Sequence, residues 1–199
     1  GAFHAVSAFC NAGFDILGQE FSAYSSLIFL QNDKLVLLTI ATLIVLGGLG
    51  FTVVLDVLKQ RRFRQLSLHS KLALVSSACL ILLGLLFFFF TESGTLWKEM
   101  TMVDRLLNSF FLSVTSRAAG FSTADLNQAV PATLLVLMLL MFVGASPAGT
   151  GSGIKTTTLT VLFLAAISRM RARGDLVVFN RRIDKDTILR ALTVTVLAF

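Results

Sequence analysis

The sequence predicts an all-α integral membrane fold, and three observations support this prediction. Hydrophobic residues make up 55% of the 199 residues and charged residues only 14%, against about 25% charged in an average soluble domain. Several long runs carry no charge at all. The basic residues behind the net charge of +6 are concentrated in two short blocks between apolar runs, which is typical of membrane topology. The composition argues against a soluble enzyme, a disordered chain and a nucleic-acid-binding domain.

The uncharged runs predict the transmembrane helices in chain order. Residues 35–55 and 72–91 each contain no charged side chain. At about 1.5 Å per residue, each run reaches the roughly 30 Å thickness of a hydrocarbon core. The next uncharged run, residues 126–154, continues in apolar sequence beyond Lys155 and is too long for one simple span. A last span begins near Ile188.

A glycine-rich stretch interrupts the longest apolar run. Residues 144–153 contain four glycines and a proline. Glycine is entropically costly in a helix, and proline removes a hydrogen bond from the helical ladder. Residues 131–143 and 156–168 are therefore predicted to be two half-helices. Non-helical backbone at membrane depth must be surrounded by protein or line a water-filled cavity.

Two basic segments set the predicted orientation. Residues 59–71 contain five basic and no acidic side chains, and residues 169–185 contain six basic and two acidic ones. By the positive-inside rule, the loops at 59–70 and 169–187 are cytoplasmic. Most of the acidic residues lie in segments on the opposite side.

Two shorter apolar segments form an internal repeat on the outer side. Residues 2–10 and 103–116 are too short or too interrupted to cross, and each precedes an Ala-Gly-Phe sequence. Aligning these sequences gives four identities: Phe3 with Phe110, Ala12 with Ala119, Gly13 with Gly120, and Phe14 with Phe121. A predicted transmembrane helix follows each segment, so the predicted unit is a span, a short re-entrant helix, a glycine turn and a second span.

This unit is typical of a cation pore. Glycine lets the returning backbone turn its carbonyl groups toward an axis, and rings of carbonyl oxygens can replace the hydration shell of a cation. Asp15 and Asp125 follow the two turns and would add negative potential at the outer mouth. The alternative is an ordinary surface turn after a packed helix. The repetition of the turn together with its flanking spans favours the pore.

The sequence resembles the Ktr/Trk/HKT superfamily of potassium transporters, most nearly the bacterial KtrB-type membrane subunit. The matching stretches are residues 7–15, 115–121 and 144–158. The resemblance implies repeats of a transmembrane helix, a re-entrant pore helix with a filter loop, and a second transmembrane helix around a central pore. It divides the chain into the end of the second repeat (1–58), a cytoplasmic loop (59–70), the third repeat (71–168), a cytoplasmic loop (169–187) and the start of the fourth repeat (188–199).

The resemblance also implies site residues. Backbone carbonyls of a potassium selectivity filter would come from Asn11, Ala12, Gly13, Ala118, Ala119 and Gly120. An intramembrane gating loop would comprise Gly144, Ala145, Ser146, Gly149, Thr150, Gly151, Ser152, Gly153 and Lys155. Asp15 and Asp125 would lie at the outer mouth.

The implied function is potassium uptake across the plasma (inner) membrane, gated by this loop and without covalent catalysis. The implied ions are K+ as cargo and Na+ as a coupling or activating ion, with no covalent cofactor and no other metal. The implied partners are a second copy of the full-length subunit, a cytosolic ring of nucleotide-binding RCK domains, and the lipid bilayer. Because the first and fourth filters are absent, the preference between potassium and sodium stays open.

Two other functions fit parts of the sequence. A secondary transporter of another ion or small solute also uses discontinuous helices with glycine-rich breaks, but it needs a central site rather than paired outer re-entrant segments. Residues 149–156 are similar to a phosphate-binding loop, yet Ile154 separates the glycine from Lys155 and a transmembrane helix precedes the motif.

Three single residues are open to interpretation. Arg117 beside the second glycine turn either bridges to a carboxylate or tunes cation entry. Lys155 either belongs to the gating region or is an anchor that reaches the interface. Trp97 is typical of an interfacial anchor.

Overall fold

The uncharged runs of the sequence form helices. The computed structural model describes residues 1–16, 26–170, 176–179, 181–183 and 185–197. The α-helices within these ranges are α1 (Ala2–Phe9), α2 (Lys34–Leu49), α3 (Phe51–Gln60), α4 (Leu68–Glu92), α5 (Met102–Thr115), α6 (Pro131–Phe142), α7 (Thr156–Met170) and α8 (Lys185–Leu197). Short 3-10 helices lie at Ile28–Leu30, Phe63–Gln65 and Leu126–Gln128.

Helix α4 confirms the predicted span at 72–91. It begins after Ser67, whose hydroxyl accepts the N–H of Ser70 as an N-cap. Within the described residues, α4 is the one helix that by itself is long and apolar enough to cross a membrane. It begins four residues before the predicted run and ends one residue after it.

The prediction of one continuous span at 35–55 is wrong. Helix α2 ends at Leu49, α3 begins at Phe51, and the two axes meet at 95°. Gly50 between them has φ +83° and ψ 147°, which no helical residue adopts. A Cβ at Gly50 would lie 2.8 Å from the Pro147 carbonyl oxygen. The glycine therefore both turns the chain and admits a neighbouring segment.

Helices α6 and α7 lie where the sequence predicts two half-helices. Pro131 occupies the first turn of α6, where its missing N–H costs no helical hydrogen bond. Phe142 ends α6, and Thr156 begins α7. The glycine-rich residues between them are not helical.

Two apolar clusters hold helices α1, α2, α4, α5 and α6 together. One joins α1, α2 and α5 and includes Leu37, Ile44 and Phe111, all essentially buried. The other joins α4, α5 and α6 and includes Phe88 and Trp97, both 0% exposed. The interpretation of Trp97 as an interfacial anchor is therefore wrong, because its ring packs inside the protein.

Contacts between segments that are distant in sequence define two ends of the molecule. At one end, the Lys34 ammonium lies 3.3 Å from the Asp104 carboxylate. At the other end, the Phe63 ring meets the Phe179 ring at 6.2 Å, and the Lys71 ammonium lies 5.9 Å from the same ring. The described parts of the two predicted cytoplasmic loops thus lie together. The second loop holds an antiparallel hairpin, β1 (Leu176–Val178) with β2 (Arg181–Ile183), that the sequence did not predict.

Candidate functional site

The two short helices α1 and α5 end in turns that have positive φ at equivalent positions. We call residues 10–14 the first turn and residues 117–121 the second turn. In the first turn φ is positive at Asn11 (51°) and Gly13 (69°), and in the second at Ala118 (65°) and Gly120 (85°). These are equivalent positions of the sequence repeat. The repeat therefore extends from residue identity to backbone geometry.

Hydrogen bonds fix each turn against its helix. The N–H of Ala12 donates to the Ser7 carbonyl (2.9 Å), and the N–H of Ala119 donates to the Thr115 carbonyl (3.0 Å). The Thr115 hydroxyl also donates to the carbonyl of Phe121 at 2.6 Å, in a buried position. The chain after the second turn is thereby held against the end of α5.

The two turns touch each other at their glycines. A Cβ at Gly13 would lie 2.6 Å from the Cα of Gly120, and a Cβ at Gly120 would lie 2.9 Å from the Cα of Gly13. Both residues also have positive φ, which side chains disfavour. Glycine is therefore required at both positions on two independent grounds, and the structure brings the two predicted filter segments together.

Residues 144–153, which we call the glycine-rich loop, leave α6 and enter α7 at almost the same point. The N–H of Gly144 donates to the Ile154 carbonyl (3.0 Å), and the N–H of Ile154 donates to the Phe142 carbonyl (3.1 Å). A Cβ at Gly144 would overlap the Ser152 carbonyl oxygen, at 1.4 Å. These hydrogen bonds close the base of the loop, which we call the stem. Only glycine fits at position 144, where the two sides of the stem meet.

Polar side chains of the glycine-rich loop bond within the loop and its base. The hydroxyls of Ser146 and Thr156 lie 3.0 Å apart, and both side chains are completely buried. The Lys155 ammonium donates to the Gly151 carbonyl at 2.9 Å. The charge of Lys155 thus faces the loop.

The glycine-rich loop docks on the end of α2. The N–H groups of Ser146 and Thr150 donate to the carbonyls of Gly48 (2.9 Å) and Gly47 (3.1 Å). These carbonyls lack helical partners because α2 stops at the Gly50 bend. The loop therefore satisfies backbone acceptors that the bend creates.

One side-chain link joins the glycine-rich loop to the first turn. The Asn11 side-chain amide donates to the Thr150 hydroxyl at 2.7 Å, and that hydroxyl donates to the Phe9 carbonyl at 2.9 Å. Asn11 belongs to the first turn, and Phe9 is the last residue of α1. A displacement of Thr150 would therefore break hydrogen bonds to the first turn and to the end of α1.

Sequence reasoning missed the glycines at the end of α2. A Cβ at Gly47 would lie 1.9 Å from the Phe9 carbonyl oxygen, and one at Gly48 would lie 4.0 Å from the Ala145 Cβ. Gly47, Gly48 and Gly50 thus let α1, α2 and the glycine-rich loop meet. The sequence does carry a signal for this contact, because three glycines within four residues are unusual inside a helix.

The predicted outer-mouth carboxylates occupy different settings. Asp15, half-buried, follows the first turn. Asp125 caps the 3-10 helix Leu126–Gln128 and accepts the N–H of Asn127 at 3.1 Å and the side-chain amide of Gln128 at 3.1 Å. These hydrogen bonds, the backbone one foremost, hold the pKa of Asp125 below its usual value. Asp125 is therefore negatively charged at neutral pH.

Arg117 is the first residue of the second turn and is only 6% exposed. Its Nε has no hydrogen-bond partner, and no carboxylate among the described residues forms an ion pair with it. Nor do the described residues include a cluster of three or more His, Cys, Asp or Glu side chains suited to a bound metal.

Comparison with known proteins matches the whole chain to one family. Residues 1–199 match the family described as TrkH, cation transport protein. The potassium/sodium uptake protein NtpJ of Enterococcus hirae is 40% identical over 96% of this chain and 41% of its own length. The Ktr system potassium uptake protein B of Bacillus subtilis is 41% identical over 98% of this chain and 43% of its own length.

A solved structure shares the fold. The crystal structure of the potassium transporter TrkH from Vibrio parahaemolyticus superposes with a TM-score of 0.73 and 15% identity, covering 98% of this chain and 41% of that one. The prediction of an all-α membrane fold is therefore confirmed. The chain spans about two fifths of the length of these proteins.

Proposed function

Because this chain belongs to the TrkH family of cation transport proteins, we propose that it forms part of a pathway for potassium uptake across the plasma (inner) membrane. The observation that carries the proposal is the contact between Gly13 and Gly120 in two turns that have positive φ at equivalent positions. Relatives about equally similar are named for uptake of potassium, or of potassium and sodium. The cargo is therefore K+, with Na+ as a coupling or activating ion.

The backbone of the two turns supports a carbonyl filter. In a regular extended strand, successive carbonyls point to opposite sides. A positive φ at every second residue reverses this alternation, so that successive carbonyls face one side. Both turns have this pattern, at Asn11 and Gly13 and at Ala118 and Gly120. Carbonyls of residues 11–13 and 118–120 would then replace water around a potassium ion.

The helices α1 and α5 add to the electrostatics of this filter. Each C-terminus, at Phe9 and Thr115, leads directly into a turn. Helix C-termini carry partial negative charge that favours a cation nearby. We assign the negative electrostatic potential at the outer mouth to Asp125, which is ionised, and to Asp15.

The glycine-rich loop has the contacts of a gate. Its stem is closed by bonds between Phe142, Gly144 and Ile154, whereas separate bonds from Ser146 and Thr150 hold it to α2. The docking bonds can therefore break while the stem and both half-helices persist. Each docking hydrogen bond contributes about 0.5–1.5 kcal/mol net. A regulatory partner could therefore shift the loop with modest binding energy.

We also propose the assembly in which this pathway works. Two turns make only half of a ring, and the relatives are more than twice as long as this chain, so further turns come from the rest of a full-length subunit that forms a homodimer. A cytosolic nucleotide-binding ring of RCK type would bias the glycine-rich loop. The observation that supports such a regulatory partner is that the relative from B. subtilis is named as part of a Ktr system.

Substitution of Gly120 tests the filter. In the intact subunit, we expect Gly120→Ser to lower the discrimination of K+ against Na+ at least severalfold, because a side chain would meet Gly13 and strain the positive φ. The measurement is competition between the two ions for uptake into vesicles. Gly94→Ser is the matched control, since Gly94 has open space around it. An unchanged ratio in folded Gly120→Ser protein would contradict the filter assignment.

A further inference from the structure

Helix α3 runs nearly perpendicular to α2, the helix that precedes it. Its axis makes an angle of 95° with that of α2. If α2 crosses the bilayer, a helix at this angle lies along the bilayer surface. It lies at the end of the molecule where the two basic loops meet, because residues 61–67 connect it directly to α4.

One face of α3 is apolar and turned away from the protein. Phe51, Leu55 and Leu58 are spaced as neighbours along one helical stripe and are 66%, 58% and 67% exposed. Val53 on the opposite face is 0% exposed and packs inward. An apolar stripe on a surface-parallel helix is the arrangement of a helix that lies in a membrane interface.

Four cations follow this stripe immediately: Lys59, Arg61, Arg62 and Arg64, all of them exposed. None forms an ion pair with an acid among the described residues. Asp56 is the one acid in this stretch of sequence, and it accepts the N–H of Ser67 (3.0 Å) and the hydroxyl of Ser70 (2.5 Å). Asp56 thereby fastens the segment to the start of α4. Its carboxylate interacts electrostatically with Lys59, and the three arginines remain in excess.

We propose that α3 and residues 61–65, which we call the basic arm, bind the headgroups of anionic phospholipids. The apolar stripe would enter the boundary of the acyl chains while the cations remain at the depth of the phosphates. A water-soluble acidic protein could pair with the four cations. It would not supply the acyl-chain environment that suits Phe51 and Leu58 on the apolar stripe. The occupant that fits both features is an acidic lipid such as phosphatidylglycerol.

Trypsin cleavage within the basic arm tests this proposal on the intact subunit in nanodiscs. In phosphatidylglycerol-rich bilayers we expect cleavage after residues 59–64 to be about tenfold slower than in neutral phosphatidylcholine bilayers. High salt should remove most of this protection, because it screens exposed charges.

Two variants separate lipid binding from a general effect of the bilayer. The triple variant Lys59→Gln, Arg61→Gln, Arg62→Gln keeps Arg64 as a cleavage site and should be cut at equal rates in both lipids. Lys98→Gln removes an exposed cation elsewhere on the chain and should keep the protection. Equal cleavage of the unmodified protein in both bilayers would overturn the proposal, as would protection that appears only after a cytosolic regulatory ring is added. Neither outcome bears on the ion pathway, which ion competition tests separately.

Discussion

Thr150 is the side chain on which the coupling between the glycine-rich loop and the first turn depends. Its hydroxyl accepts from Asn11 and donates to the Phe9 carbonyl. We expect Thr150→Val to raise potassium flux about three- to tenfold, because loss of these bonds weakens docking by about 1 kcal/mol. The measurement is potassium uptake by proteoliposomes containing the intact subunit without its regulator.

Thr42→Val is the control for this prediction. The Thr42 hydroxyl bonds only to the Leu38 carbonyl of its own helix, on an exposed face. The same chemical change there should leave flux unaltered. A flux in Thr150→Val that equals or falls below that of the unmodified protein would show that the link does not hold the loop closed.

Asp104, in the first turn of α5, gives the stability of the folded protein a defined dependence on pH. Its carboxylate accepts from the Thr101 hydroxyl (2.6 Å) and faces the Lys34 ammonium (3.3 Å). These contacts, the Thr101 hydrogen bond first, lower the pKa of Asp104 below 3.8. Since the folded pKa is depressed, the stabilisation is complete above the ordinary pKa and is lost as pH falls through the folded value.

The substitution Asp104→Asn tests this linkage. It should lower the melting temperature at neutral pH, where the unmodified carboxylate is charged in the folded protein. The difference between the two proteins should disappear in acid, below the folded pKa. Melting curves of purified protein over a pH series measure it, and a difference that persists unchanged in acid would contradict the assigned role of the charge.

At the scale of elements, the glycine-rich loop is separable from the helices that it joins. A Cβ at Gly144 would lie 2.9 Å from the Cα of Gly153, so the chain can be rejoined there with little movement. Deleting residues 145–152 should therefore leave α6 and α7 in place and raise potassium flux. Uptake and thermal unfolding are measured on the same preparation. Reduced flux in protein that unfolds normally would mean that the loop is not a gate.

Local sequence predicted the straight helix and the interrupted one, but not the bent one. Helix α4 is uncharged along its middle and has a serine cap, and the glycine-rich loop contains four glycines and a proline. The bend at Gly50 follows from tertiary contact, since the loop that fills it lies about a hundred residues later in the chain. Apolar composition alone does not distinguish a span from a span that ends early against such a partner.

The candidate site was predictable to a similar extent. The repeated Ala-Gly-Phe located both turns, since glycine at a positive φ leaves a trace in one sequence. The bonds from Ser146 and Thr150 to Gly48 and Gly47 leave no such trace. They join backbone groups, which every sequence supplies, so only the fold shows which of them meet.

At the scale of the whole molecule, the proposed pore has a wall on one side only, formed where Gly13 meets Gly120. An ion beside two turns can exchange part of its hydration shell for carbonyls, whereas full dehydration needs oxygens around the entire axis. The chain by itself, reconstituted into liposomes, should therefore show no potassium-selective flux, while the intact subunit should show it. Ion flux under matched gradients of K+ and Na+ measures both preparations. Selective flux from the isolated chain would mean that two turns suffice, or that copies of the chain complete the ring among themselves; crosslinking of the reconstituted protein distinguishes these two cases.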